Sequence, residues 1–297
     1  MKKILFVVLL FASTFSHAAL NIFTCEPEWA ALAKELAADK ADIYSATTAL
    51  QDPHHIEARP SLIARARGAD LVVCTGAQLE VGWLPLVLRA SGNSKVQPGN
   101  NGYFEAAHYV TMLEIPARLD RADGDIHASG NSHIQTDARN FLPIADALSK
   151  RLIQLDPANT AFYRNRLQSF TQAWQAALLR WEKQAAPLKG APIIAQHNGF
   201  PYLNNWLELK QIVTLEPKPG MEPSAAHLAQ VLAQLQRTPA RMVLRAAYQN
   251  PKSSEWIAER AKITAVMLPY TVGGTSSAID LFTLFDDTIQ RLLAGMK

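Results

Sequence analysis

Residues 156–184, DPANTAFYRNRLQSFTQAWQAALLRWEKQ, contain no glycine, and their only proline is the second residue. Tyr163, Leu167, Phe170, Trp174, Ala177, Leu178 and Trp181 recur at spacings of three and four, which predicts a helix over 158–184 with one apolar face. At ~1.5 Å per residue such a helix is roughly 40 Å long, the dimension of a whole domain. Whatever this chain folds into is arranged around that rod.

On both sides of it, strand and helix patterns alternate. Before it, LNIFTC, ADIYSATT and ADLVVCTG read as strands, and EPEWAALAKELAAD and PSLIARARG as helices, the latter with Pro60 at a favourable early position. After it, PIIAQH, QIVTLEP, ARMVLRA and ITAVMLP read as strands. YLNNWLEL, PSAAHLAQVLAQLQ and SSEWIAERA read as helices, followed by a closing helix from about Ser277. The stretch from Ser91 to Asn131, rich in Gly, Asn and Asp, reads as irregular. This alternation predicts an α/β protein of two lobes, each with a mainly parallel sheet flanked by helices, joined by one long rigid linking helix. The expected boundaries are an N-terminal lobe over 19–157, the linking helix over 158–184 and a C-terminal lobe over 185–297.

The first residues, MKKILFVVLLFASTFSHA, pair a basic start with a short apolar run and small residues before a cut after Ala18. That pattern is a secretory signal peptide, too short to span a bilayer as a helix. The mature chain is therefore expected to be soluble and exported, with no lipid anchor because no cysteine follows the cut. A net charge of +3 over 297 residues, with no basic cluster, gives nucleic-acid binding no support. Cys25 and Cys74 are the only cysteines. In an oxidising compartment they form a candidate disulfide; two neighbouring buried thiols are the other reading.

Seven histidines lie beyond residue 18: His54, His55, His108, His127, His133, His197 and His227. His54 and His55 follow a predicted strand in LQDPHHIEARPSL, His197 ends PIIAQH, and His133 lies in GNSHIQTD just before the helical region. Ends of parallel strands are where open α/β sheets place their sites. A single histidine there is usually a surface or hydrogen-bonded residue. Three at matching places in two halves point to a metal, and three imidazoles with a carboxylate or water in fourth place suit zinc. His108 and His227 are read as structural. His127, beside the acids of DGDIH, suits either a structural role or transient metal capture.

These residues resemble a known family. DPHHIEARPS is similar to the D-P-H-x-x-E-x-x-P-S segment of bacterial zinc- and manganese-binding solute-binding proteins, the TroA-like periplasmic receptors of metal ABC importers. The first ligand of that family falls on His54, with His55 at a variable position. GNSHIQTDARN resembles the second ligand segment and gives His133, with Ser132 in place of a proline and Gln135 in place of a tryptophan. AQHNGFPYL resembles the third and gives His197, and LEPKPGMEPSAAHL is similar to the segment that follows. The resemblance implies two lobes around a rigid helix with the metal in the cleft, and delivery of a zinc ion to an inner-membrane permease of an ABC transporter. It further implies a periplasmic location, no catalysis and action as a monomer.

The chain departs from the family at the fourth ligand. Where an acid is expected, VGGTSSAIDLF has Thr275, and the nearest substitute is Asp280, about one turn into the closing helix. Asp280 and water are the two candidates. The long histidine-rich acidic loop of many zinc receptors is reduced to RADGDIHASGNSH. His197 at the third position makes the shell richer in nitrogen, which favours zinc, Zn(2+), over manganese, Mn(2+), as the transported ion. Two other readings stand beside this one. A secreted zinc hydrolase would use the H-x-x-E spacing of His54 and Glu57, and a receptor for an organic ligand would bind independently of the three histidines.

Overall fold

The computed structural model describes residues 19–118, 124 and 127–297. The signal-peptide reading of residues 1–18 and much of the acidic stretch before His127 lie outside the described residues.

Apolar strand segments alternating with amphipathic helices produce two parallel four-stranded sheets. In the first, β1 (Leu20–Thr24), β2 (Ala41–Ser45), β3 (Leu71–Cys74) and β4 (Tyr103–Glu105) lie in the order β2-β1-β3-β4. In the second, β5 (Pro192–Ala195), β6 (Lys210–Thr214), β7 (Met242–Ala246) and β8 (Thr264–Leu268) lie in the equivalent order β6-β5-β7-β8. All pairings are parallel. Parallel pairing requires crossovers, and helices supply most of them. In the first half these helices are α1 (Pro27–Ala37), α2 (Pro60–Gly68) and α3 (Leu84–Ser91). In the second they are α6 (Pro201–Leu207), α7 (Ala225–Arg237) and α8 (Lys252–Ala261). The order 2-1-3-4 reverses between the first and third strands of each sheet, and that crevice at the carboxyl ends of the strands is where such sheets bind.

The apolar stripe of residues 158–184 becomes α5, Thr160–Ala185. Tyr163, Phe170, Trp174, Ala177, Leu178 and Trp181 are buried on it, and Leu167 is partly buried against the same core. α4 (Phe141–Leu155) precedes it and α9 (Leu281–Gly295) closes the chain. α5 packs on α1 and α4 from the first half and on α9 from the second. One apolar core runs from Ile22 and Leu71 through Phe141 and Trp174 to Phe285 and Leu292, so both sheets share it. Among the described residues no helix is long and apolar enough to cross a membrane.

Two sequence expectations change. The irregular stretch 91–131 contains β4, whose three residues Tyr103–Glu105 pair with β3; a strand that short carries no readable alternation. The closing helix begins at Leu281 rather than near Ser277, because Asp280 is its N-cap. The Asp280 carboxylate accepts from the Thr283 amide and the Thr283 hydroxyl from the Asp280 amide, a reciprocal box that fixes the start of the helix. Cys25 and Cys74 form a disulfide joining the carboxyl ends of adjacent strands β1 and β3.

Candidate metal centre

His54 lies in the loop that follows β2. Pro53 contributes its carbonyl, which accepts from Nε1 of the buried Trp83 at 2.9 Å. Asp52 shapes the rest: its Oδ1 accepts from the His54 backbone amide at 3.0 Å and sits 2.7 Å from His54 Nδ1. Burial works to raise the Asp52 carboxyl, but the hydrogen bond and charge of His54 outweigh it and hold Asp52 below its ordinary range. With Nδ1 engaged by a carboxylate, the imidazole carries its proton there and presents a bare Nε2. That Nε2 is buried and has no hydrogen-bond partner.

His197 lies two residues beyond β5 and repeats the arrangement. Its Nδ1 is 2.7 Å from Glu216 Oε2, a residue placed just after β6, and the same oxygen accepts from the Gly220 amide at 2.9 Å. His133 comes from the chain entering α4. Its backbone amide donates to Asn131 Oδ1 at 3.0 Å, and its carbonyl accepts from Thr136 Oγ1 at 2.9 Å. The Asn131 side chain also reaches the other half, donating to the Asn198 carbonyl at 2.9 Å.

These three histidines meet. Nε2 of His133 and Nε2 of His197 are 3.1 Å apart, and one ligand atom from each of His54, His133 and His197 lies within 4.8 Å of the others. Two nitrogens held by one tetrahedral zinc at about 2.0–2.1 Å sit roughly 3.3–3.4 Å apart, so the spacing suits a shared ion. His54, His133 and His197 are 8 %, 2 % and 7 % exposed. Burial first, and then the neighbouring imidazoles of His197, His54 and His127, push His133 well below the usual histidine range. Its ring therefore stays neutral and able to donate a lone pair. A cavity of about 230 Å³ leads to the centre, lined by Glu114, His127, Asn131, His133, His197 and Asn198.

Asp280 does not join this group: its Oδ1 is taken up by the cap of α9. Thr275, where an acid was expected, turns its hydroxyl to Asp287 of α9 at 2.6 Å. Glu57 of the H-x-x-E spacing is exposed and also outside the group. His55 is exposed, whereas the His127 ring stacks on His54 with centroids 5.6 Å apart. The two carboxylates behind the imidazoles, Asp52 and Glu216, were given no role by the sequence reading. Asp52 sits inside the D-P-H segment and Glu216 begins EPKPG, so both lay within segments already singled out.

The chain matches a family described as the zinc-uptake complex component A, periplasmic, over residues 22–295. It is 27 % identical over 258 residues to the manganese ABC transporter substrate-binding lipoprotein PsaA of Streptococcus pneumoniae, covering 80 % of each chain. It is 29 % identical over 188 residues to the metal ABC transporter substrate-binding lipoprotein FimA of Streptococcus parasanguinis, covering 58 % of each. Among solved structures, a crystal structure of ZnuA superposes with a TM-score of 0.79 at 22 % identity, covering 94 % of this chain and 100 % of that one. A Mn-bound periplasmic metal-binding protein from Candidatus Liberibacter asiaticus gives 0.74 at 12 % identity, covering 93 % and 99 %. The likeness of fold, the match across both sheets and the converging imidazoles agree: this chain belongs to the zinc-uptake component A family, the non-enzymatic substrate-binding receptors of metal ABC importers.

Proposed function

We propose that this chain is a periplasmic zinc receptor that captures the ion with His54, His133 and His197 and passes it, as a monomer, to an inner-membrane ABC permease. The observation that carries the reading is the convergence of three buried imidazoles, two of them backed by carboxylates. A shell of nitrogen donors suits zinc, while manganese is better served by carboxylates and water. The names of the streptococcal relatives support manganese as the second reading.

Water is the fourth ligand we favour. Two carboxylates, each one imidazole removed from the ion, already balance its two charges, and a third negative group in a buried site would leave an uncompensated charge. His127, stacked over His54 at the cavity wall, is suited to handing the ion inward. The lobes over 19–157 and 185–297, either side of the linking helix over 158–184, form the two walls of the cleft.

The test is metal content and zinc titration of residues 19–297 beside a His54→Ala, His133→Ala, His197→Ala triple variant. One tight zinc per chain, lost in the variant, is the expected result. Unchanged binding in the variant, or none in the wild type, overturns the reading and brings the organic-ligand receptor forward. Preference for manganese in a zinc–manganese competition would overturn the choice of metal alone.

A further inference from the structure

His54 and His197 each have a carboxylate behind Nδ1, but His133 has none, and its Nδ1 is buried without a hydrogen-bond partner. A metal-binding imidazole almost always donates its second N–H, and that bond fixes its tautomer and aim. Two further orphaned polar atoms lie close by: Oε1 of Gln135, 3 % exposed, and the hydroxyl of Tyr270, 6 % exposed.

From this we infer that Gln135 and Tyr270 are positioning residues for His133, holding its Nδ1–H directly or through one water. The inference rests on His133 being a ligand.

Four observations support it. The Tyr270 ring packs edge-on against the His133 imidazole with centroids 5.7 Å apart, and Phe200 and Tyr248 hold it there at 5.6 and 5.8 Å. Tyr270 and Gln135 share a cavity of about 10 Å³, roughly the space one water occupies. The phenol oxygen is turned toward the centre: a Cβ on Gly199 would lie 3.0 Å from it and 3.3 Å from His197 Cδ2. Finally, Tyr270 adopts a φ of +69°, a left-handed backbone that a bulky residue rarely takes up and that clusters where a site demands it. The turn is locked by Gly273 donating to the Ala278 carbonyl at 2.7 Å and by Gly274, where a Cβ would meet the Pro269 carbonyl at 1.9 Å.

The chemistry is consistent atom by atom. In the inferred arrangement Nδ1–H of His133 donates, and the amide Oε1 of Gln135 has two lone pairs to accept, the second of them open to the Tyr270 hydroxyl. An amide and a phenol also orient the ring without adding charge. With Asp52 and Glu216 already opposing the two charges of the ion, a third carboxylate would leave the loaded centre negative.

The test compares wild type, Tyr270→Phe, Gln135→Leu and the double variant, with Ser132→Ala as control because Ser132 Oγ is a neighbouring buried orphan. Zinc affinity is read by chelator competition, the ligand field by the visible absorption of the Co²⁺-loaded protein, and folding by the Tm of the metal-free chain. Each single variant should weaken zinc binding about 10- to 100-fold and shift the cobalt bands without lowering the metal-free Tm. The double variant should lose no more than the weaker-binding single one, and Ser132→Ala should stay within twofold of wild type. Affinity and spectrum unchanged in both single variants would overturn the inference. So would losses that multiply in the double variant, losses that track a lowered Tm, or a loss carried by Ser132→Ala. Failure of the wild type to bind zinc would overturn the metal reading itself, so the two failures are distinct.

Discussion

In the proposed centre, Asp52 and Glu216 decide which nitrogen of their histidines faces the ion. Replacing either by its amide keeps the shape and a hydrogen bond but removes the charge that strengthens the imidazole as a donor. Asp52→Asn and Glu216→Gln are each expected to weaken zinc binding about 10- to 100-fold, measured by chelator competition, with little change in fold. Asp280 gives the opposite expectation. As the N-cap of α9 it contributes to folding, so Asp280→Ala should cost about 1 kcal/mol of stability, read by urea denaturation, while zinc affinity stays unchanged. A large loss of affinity in that variant would restore Asp280 as a ligand. The three histidines were legible because each lies in a short segment with a recognisable order of neighbours. Their supports were not, since Glu216 is nineteen positions from His197 and meets it only because β5 and β6 pair side by side. Asp280 stood beside water as a candidate because an acid near an expected motif position and an acid that starts a helix look alike in one dimension.

At the scale of elements, the carboxyl ends of β1 and β3 and the start of α1 bury three acids: Glu26 at 3 %, Glu28 at 1 % and Glu80 at 3 % exposure. Glu80 accepts from the amides of Thr75 and Gly76, and Glu28 accepts from Thr271 of the second half. Burial raises all three carboxyls, Glu28 and Glu80 to about 7 and Glu26 well above its usual range, the last also through the charges of Glu80 and Glu28. Between the unfolded value near 4.5 and about 7, the folded chain keeps a proton on Glu28 that the unfolded chain has released. Stability from this group is therefore complete below that window and lost as pH rises through it, by roughly 3 kcal/mol at most. Glu28→Gln should flatten the fall in stability between pH 5 and pH 8 relative to wild type. The difference between the two curves reports Glu28 together with its charge on Glu26, because the opposing effect of the neutral His133 is common to both. An identical pH dependence would show that Glu28 does not carry the proton. None of this was legible in EPEWAALAKELAAD, which read only as a helix. By contrast α5 was legible almost to the residue, because a stripe of seven apolar side chains over about five turns admits no other period.

The whole molecule turns on how tightly that helix ties the halves. Trp174 is fully buried; its ring packs on Phe141 of α4 and on Phe282 and Phe285 of α9, and its indole N–H donates to the Ala138 carbonyl at 2.8 Å. Trp181 continues the contact to Phe285 and to Asp286. α4 follows the first sheet and α9 packs on β8 of the second, so each half completes its core with side chains that the other half also uses. Wide hinge closure would have to part these rings, exposing aromatic surface whose burial is worth several kcal/mol. Loss of the ion is therefore expected to move the lobes by a small rocking that spoils the spacing of the three imidazoles, not by wide opening. Small-angle scattering of the metal-free and zinc-loaded chain should give the same radius of gyration within error. Heat should unfold the metal-free chain in one transition, since each half keeps only a smaller apolar cluster of its own and shares the largest core with the other. Trp174→Ala should lower the midpoint of that single transition, at a cost of about 3–5 kcal/mol. Two separated transitions, or a marked contraction on zinc binding, would mean that the halves are joined only by a tether, and that release depends on opening rather than on a shift of ligands within a rigid frame.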